Sequence, residues 1–167
     1  NESRVPNGVK VTVVPVLNPD GLAEVTGGTG RFTEADVASD TVPGRFNGNG
    51  VDLNRNFDCD WQQTGVWQDQ AVDGGTSAFS EPESAAIRDY ILQNDPASVV
   101  VWYSAAGGVF ASNCHDGVLA ETRSIMNVYA DASEYPAFEQ FNFYEMTGDM
   151  VNWLAGEGIP GISVLLS

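Results

Sequence analysis

The chain has 167 residues, the size of one domain, and we take residues 1–167 as a single unit. Apolar residues make up 43% of it, which is enough for a hydrophobic core and argues against disorder. Asp and Glu number 23 against 7 Lys and Arg, and the net charge of −16 repels nucleic-acid phosphates and anionic lipid head groups. We therefore expect neither nucleic acid nor a membrane as a partner.

The two cysteines, Cys59 and Cys114, lie far apart in the sequence and fit either one disulfide or two free thiols. The acidic composition with Lys10 as its single lysine leans towards an extracellular protein, and this favours the disulfide. The triplet Asn1-Glu2-Ser3 also matches the acceptor pattern for an N-linked glycan. We therefore expect a secreted protein with a Cys59–Cys114 bridge.

The first part of the chain predicts a strand, a turn and a long loop. Residues 8–17 are rich in valine, which is typical of a strand. The Asn-Pro-Asp-Gly sequence at 18–21 predicts a turn. Residues 26–49 are rich in Gly, Thr, Asn and Asp without periodicity, and 57–79 are irregular as well. Loops this long inside a domain often carry function.

Helix and strand patterns alternate in the rest of the chain. The predicted helices cover 80–95, 118–132 and a segment capped by Thr147, and the predicted buried strands cover 99–103 and 161–167. Ser80 and Glu83 form a capping-box pattern at the first helix. This alternation predicts an α/β sandwich with a largely parallel sheet. Both ends are abrupt, so we expect either a part of a larger α/β domain or a reduced version of one.

Residues 44–57 concentrate groups that bind carboxylates. Arg45 and Arg55 lie there among several amide side chains, and arginine presents a planar fork that binds a carboxylate through two hydrogen bonds. Asn54 adds an amide donor beside Arg55. The alternative is that Arg55 only neutralises a neighbouring aspartate on a surface loop, as most such ion pairs do.

Six segments occur in the order seen in zinc metallocarboxypeptidases, and the chain resembles this carboxypeptidase A-like family over nearly its whole length. They are residues 18–21, 50–57, 79–83, 102–104, 144–148 and 158–164. The Asn-Arg-Asn-Phe sequence at 54–57 is highly specific. The resemblance implies a three-layer α/β/α sandwich around a mixed sheet, here without the first strands and the last helix.

The resemblance also implies the residues that hold the substrate. Asn54 and Arg55 match the pair that grips the substrate's C-terminal carboxylate. Arg45 matches the arginine that polarises the scissile carbonyl, and Tyr144 matches the mobile tyrosine that closes over the bound terminus. The substrate-binding half of the site is therefore expected to be intact.

The catalytic half departs from the family. Its members hold zinc through a His-x-x-Glu motif and a second His, and a Glu takes the proton of the metal-bound water. This chain has no His-x-x-Glu, Tyr103 stands at the second His, and Leu165 stands at the Glu. Its single histidine, His115, follows Cys114 directly, and adjacent residues rarely bind one metal. We therefore expect no metal, no cofactor and no hydrolysis by this chain.

Three functions remain open. The first is a non-catalytic module, either structural or binding peptide C-termini. The second is a portion of an active secreted zinc carboxypeptidase, in which Tyr103 and Leu165 need an explanation. The third is a self-assembling subunit, because a sheet that lacks its first strands has an open edge that can pair with another copy.

Overall fold

A computed structural model describes residues 5–104 and 106–167, so the glycan acceptor pattern at Asn1 lies outside the described residues. These residues form four α-helices and six β-strands. The helices are α1 (Pro19–Thr26), α2 (Pro82–Asn94), α3 (Ala120–Ser133) and α4 (Met150–Gly156). The strands are β1 (Thr64–Trp67), β2 (Gln70–Asp73), β3 (Val99–Ser104), β4 (Gly108–Ala111), β5 (Ala137–Phe138) and β6 (Gly161–Leu166). None of these helices has the length and apolarity needed to cross a membrane.

The main sheet has four strands in the order β3-β6-β4-β5. β3 runs parallel to β6, while β4 runs antiparallel to β6 and parallel to β5. The sheet is therefore mixed, as expected. β3 lies at its edge, so Trp102 is 57% exposed and the expected burial of this strand on both faces is wrong.

Two apolar clusters cover the two faces of the sheet. On one face α2 and α4 contribute Ile91, Trp153 and Leu154. On the other face α3 contributes Met126 and Ala130. Successive strand residues point to opposite faces and so supply both clusters. This arrangement confirms the three-layer α/β/α architecture.

The valine-rich residues 8–17 form no strand, contrary to the prediction. Their valines are between 43% and 70% exposed, and the segment is tied to α2 by a 2.8 Å hydrogen bond between the hydroxyls of Thr12 and Tyr90. Valine favours a strand because it packs well on a pleated surface beside other strands. No described strand pairs with this segment, so its propensity is not realised.

The Asn-Pro-Asp-Gly sequence begins a helix instead of forming a turn. The Asn18 side chain accepts a hydrogen bond from the Gly21 amide and caps α1, and Pro19 occupies its first turn. The long loop that follows is confirmed, with short 3₁₀ turns at Glu34–Asp36 and Val42–Arg45. The stretch expected to be irregular after it contains the β1–β2 hairpin.

The start of α2 differs from the predicted capping box. Glu81 is the N-cap residue, and the Ser80 hydroxyl donates to the Glu81 carboxylate instead of capping the helix. The Asn56 side chain accepts from the Glu81 amide and from the Ser84 hydroxyl, so a distant loop satisfies this helix end. The predicted stop is confirmed, since Asp95 follows α2 with φ 44°.

The expected disulfide between Cys59 and Cys114 is present, with a Cα–Cα distance of 6.0 Å. Cys59 lies in the loop after Phe57, and Cys114 lies in the loop after β4. In the chain-entropy model, closing a loop of this length stabilises the fold by about 4 kcal/mol. The bridge fixes the loop that carries the candidate site residues against the sheet.

Candidate functional site

A cavity of about 330 Å³ opens beside the carboxyl ends of β3 and β6. Ile162 and Val164 of β6 pack towards α3, so the alternate residues Ser163 and Leu165 line the cavity. Tyr103 of β3 is the register partner of Leu165 and lines it as well. The topology thus brings the two positions singled out by the sequence resemblance to one wall.

Arg45 lines the cavity and is paired with a buried carboxylate. Its Nε donates to Asp52 Oδ2 at 2.7 Å, and its Nη2 lies 2.7 Å from the same oxygen. Its guanidinium carbon also lies 4.4 Å from the centre of the Trp67 ring. Asp52 therefore balances much of the charge that Arg45 offers to a ligand.

Asn54 is held by Tyr103. The Tyr103 hydroxyl donates to Asn54 Oδ1 at 2.8 Å, and the Met150 amide approaches the same oxygen at 3.5 Å. Because a backbone amide can only donate, Oδ1 must face Met150, and Nδ2 of Asn54 is left without an acceptor among the described residues. Both Asn54 and Tyr103 line the cavity.

The Tyr103 hydroxyl remains protonated. Burial raises its pKa above the usual value, and the negative charges of Asp149 and Asp52 raise it further. Tyr103 therefore acts as a permanent hydrogen-bond donor to Asn54.

Arg55 lies behind the cavity wall and is 0% exposed. Its Nε and Nη2 donate to the Val66 carbonyl at 2.9 and 2.6 Å, and its Nη1 donates to the Asn54 carbonyl at 2.6 Å and to Met146 Sδ at 3.2 Å. A Cβ at Gly65 would lie 2.8 Å from Arg55 Cδ, so this glycine lets the side chain lie against β1. Arg55 makes no ion pair with any carboxylate in the described part of the chain.

Tyr144 is half-buried between the cavity and Arg55. Its ring centre lies 5.7 Å from the Arg55 guanidinium carbon and 4.8 Å from the centre of the Phe141 ring. The structure thus brings Arg45, Asn54 and Tyr144 to one cavity and places Arg55 directly behind it.

Asp149 is a buried acid that the sequence analysis missed. One of its oxygens caps α4 by accepting from the amides of Val151 and Asn152, and the other has no described partner. The predicted cap, Thr147, instead has a buried hydroxyl without a described partner. Burial raises the pKa of Asp149, although its hydrogen bonds and the charge of Arg55 oppose this. The signal was available, because Asp149 directly precedes the apolar helical pattern.

The described residues do not fit the zinc ion that the resemblance implies. They contain no group of three His, Cys, Asp or Glu side chains able to hold a metal. The Tyr103 hydroxyl is engaged with Asn54, and Leu165 offers the cavity only an aliphatic side chain. His115 has a 71% exposed side chain 3.7 Å from Asp60 and does not line the cavity.

A family model described as zinc carboxypeptidase matches residues 3–159. Carboxypeptidase B of Helicoverpa zea is 33% identical over 114 residues, and the uncharacterized protein YqgT of Bacillus subtilis is 28% identical over 116 residues. These alignments cover 65% and 62% of this chain.

Two solved structures share the fold, each at 24% sequence identity. Murein-tripeptide amidase MpaA from Escherichia coli O157 gives a TM-score of 0.65 over 90% of this chain, and carboxypeptidase A from Helicoverpa armigera gives 0.66 over 91%. The chain spans only 26% and 31% of the two curated relatives and 56% and 41% of these two structures.

Proposed function

Because the chain belongs to the zinc carboxypeptidase family, we propose that it binds the C-terminal carboxylate of peptides without hydrolysing them. The observation that carries this proposal is Arg55, a fully buried cation with no ion-pair partner among the described residues. Burying an unpaired charge is costly, and a bound anion offsets the cost. A peptide carboxylate entering the adjacent cavity supplies such an anion.

The cavity supplies further donors for the same carboxylate. Asn54 Nδ2 has no described acceptor, and Arg45 and Tyr144 line the cavity. Hydrogen bonds to charged groups each contribute about 1.5–3 kcal/mol. Arg55 and Asn54 together therefore support binding of a free C-terminus over an amidated one.

The non-catalytic part of the proposal rests on residue types. Peptide hydrolysis by this family's chemistry needs an activated water and a base that takes its proton. Tyr103 and Leu165 supply neither a metal ligand nor a base. Binding a carboxylate alone stabilises the ground and transition states alike and does not accelerate the reaction.

Calorimetric titration of one peptide in two forms tests the binding proposal. An N-acetylated tripeptide ending in phenylalanine is compared with its C-terminal amide. We expect the free acid to bind at least tenfold more tightly, since the amide loses a charge-assisted hydrogen bond. Equal affinities, or no binding of either form, would remove the proposal.

A portion of an active carboxypeptidase is the second candidate. The observation that favours it is the short span of the chain relative to its relatives. Zinc content and C-terminal cleavage measured on the longest natural form of the protein separate the two candidates. Stoichiometric zinc together with cleavage supports the active enzyme, and the absence of both supports the binding module.

We also propose an extracellular location and self-association as separate properties. The Cys59–Cys114 disulfide supports the first, because such bonds persist in oxidising compartments. The outer edge of β3, which pairs with no described strand, supports the second. The net charge of −16 opposes contact between copies, so light scattering is best done at high salt. A monomer under those conditions would reject self-association.

A further inference from the structure

Met146 makes an unusual contact with Arg55. Its thioether sulfur lies 3.2 Å from Arg55 Nη1 and accepts a hydrogen bond from it. Thioether sulfur is a weak acceptor, whereas guanidinium groups in proteins usually bind carbonyl or carboxylate oxygens. The other bonds of this guanidinium, to the carbonyls of Asn54 and Val66, follow that rule. The sulfur is therefore the weakest partner of a buried charge.

Met146 contacts both the guanidinium of Arg55 and the cavity. Met146 is half-buried and lines the cavity, while Arg55 is fully buried and does not line it. The nearby acid, Asp149, does not pair with Arg55, and its burial raises its pKa. An anion that reached Arg55 from the cavity would thus meet the side chains of Tyr144 and Met146, of which only Met146 occupies a donor of the guanidinium.

We propose that Met146 is a displaceable cover over Arg55, and that an incoming peptide carboxylate takes the place of its sulfur at Nη1. This inference rests on the proposed carboxylate binding and adds the step that exposes the buried arginine. Methionine is unbranched and has three rotatable side-chain bonds, so it can swing aside without backbone movement. A charge-assisted bond from Arg55 to a carboxylate is shorter and about twice as strong as a neutral one, and it outcompetes the thioether.

The cover has a measurable consequence for affinity. A protein that binds only when the cover is open has its apparent affinity reduced by the open fraction. Removing the cover should therefore tighten binding, and strengthening its bond to Arg55 should weaken binding. Met146→Ala does the first, and Met146→Gln does the second because an amide oxygen is a better acceptor than sulfur. Gln140→Ala is the matched control, since Gln140 is a long side chain that lines the same cavity without contacting Arg55.

The first readout is independent of any peptide. Phenylglyoxal modifies accessible arginines, and mass spectrometry after digestion locates the modified residues. We expect Arg55 to be protected in the wild type, in Met146→Gln and in Gln140→Ala, and to react at least fivefold faster in Met146→Ala. Arg88 and Arg123, whose side chains are 32% and 45% exposed, should each react equally in all four proteins and serve as internal references. Unchanged labelling of Arg55 in Met146→Ala would overturn the inference.

The second readout is the affinity for the acetylated tripeptide acid and its amide. We expect the acid to bind Met146→Ala about tenfold more tightly than wild type and Met146→Gln several-fold more weakly, with no change for the amide. Faster labelling of Arg55 without any binding of the acid would support the cover and refute carboxylate binding. Binding of the acid that is equal in all four proteins would refute the cover and leave carboxylate binding supported.

Discussion

Two arginines ten residues apart in one loop have opposite environments. Arg45 reaches the cavity and is paired with the buried Asp52, whereas Arg55 is buried behind the cavity without a carboxylate partner. An arginine that is already paired gains little from a second anion, while an unpaired buried arginine gains much. We therefore expect the less accessible arginine, Arg55, to be the stronger anion-binding group.

The largest expected effect comes from replacing the guanidinium group of Arg55 with an ammonium group. Arg55→Lys keeps the charge but loses the planar pair of donors. We expect the affinity for the tripeptide acid to fall about a hundredfold, which is the loss of about 3 kcal/mol of charged hydrogen bonding. Arg45→Lys should lower it less, because Asp52 retains much of the charge of that side chain. Calorimetry measures both, and thermal denaturation shows whether each variant folds.

The reverse ranking, with Arg45→Lys more damaging than Arg55→Lys, would contradict the comparison. It would assign anion binding to the accessible arginine and leave Arg55 a structural role, bonding to the carbonyls of Asn54 and Val66.

Removing the charged partner of Arg45 should make Arg45 more similar to Arg55 in its capacity to bind an anion. Asp52→Asn keeps an oxygen that can accept from the Asn54 amide but removes the negative charge beside Arg45. We expect a loss of about 2 kcal/mol in the free energy of unfolding, which is less than for a fully buried ion pair because Arg45 is partly exposed. We also expect the tripeptide acid to bind several-fold more tightly. Denaturant unfolding and calorimetry measure the two effects. Asp58→Asn, at an exposed position of the same loop, should change neither.

The third prediction concerns the residue that orients Asn54. Tyr103→Phe removes the hydroxyl that donates to Asn54 Oδ1, so the orientation of the Asn54 side-chain amide then depends on the longer contact with the Met150 amide alone. We expect about 1 kcal/mol of lost stability and several-fold weaker binding of the acid, with no change for the amide. Tyr129→Phe is the control, because its hydroxyl bonds to Trp102 at the exposed sheet edge. Equal binding of the acid by both variants would show that Tyr103 has only a packing role.

The sequence predicts the parts of this fold that depend on short-range chemistry. Asp95-Pro96 ends α2, and the apolar stripe from 118 gives α3. The Cys59–Cys114 bridge is not local, since it joins residues 55 positions apart, and its prediction depends on the cysteine count and the acidic composition. The sequence gives wrong predictions where contacts with distant residues determine the local structure. The valines of 8–17 have strand propensity but no partner, and the Ser80 capping pattern is overridden by Asn56 from another loop.

In the candidate site, too, the sequence predicts which residues are present but not the tertiary contacts that they make. The family resemblance identifies Arg45, Asn54 and Tyr144, which line the cavity, and Arg55 behind it, but it contains no information on their burial. Arg55 is buried because Gly65 admits it against β1 and because Val66 and Asn54 offer their carbonyls, and these contacts exist only in the folded chain. A lone methionine gives no pattern until packing places Met146 beside Arg55, and the position of Asp149 before α4 predicts a helix cap but not its burial.

The smallest expected effect is a change in how the free energy of unfolding depends on pH. It distinguishes two aspartates whose pKa values shift in opposite directions. Burial raises the pKa of Asp149 above the ordinary 3.8, so the stability that its protonated form contributes is present below that value and is lost as the pH rises through the raised pKa. Asp149→Asn keeps the helix cap and cannot ionise, so the free energy of unfolding of the wild type should fall relative to the variant from about pH 4 upwards.

Asp36 is the matched control on the exposed surface. Hydrogen bonds from the Thr33 amide and hydroxyl lower its pKa below 3.8, so its contribution is present above that value and is lost as the pH falls through the lowered pKa. The wild type should therefore lose stability relative to Asp36→Asn only in acid. Unfolding by urea across pH 3–8 measures both differences. Parallel curves for Asp149→Asn and the wild type would mean that Asp149 is ionised at no extra cost, and that it compensates Arg55 after all.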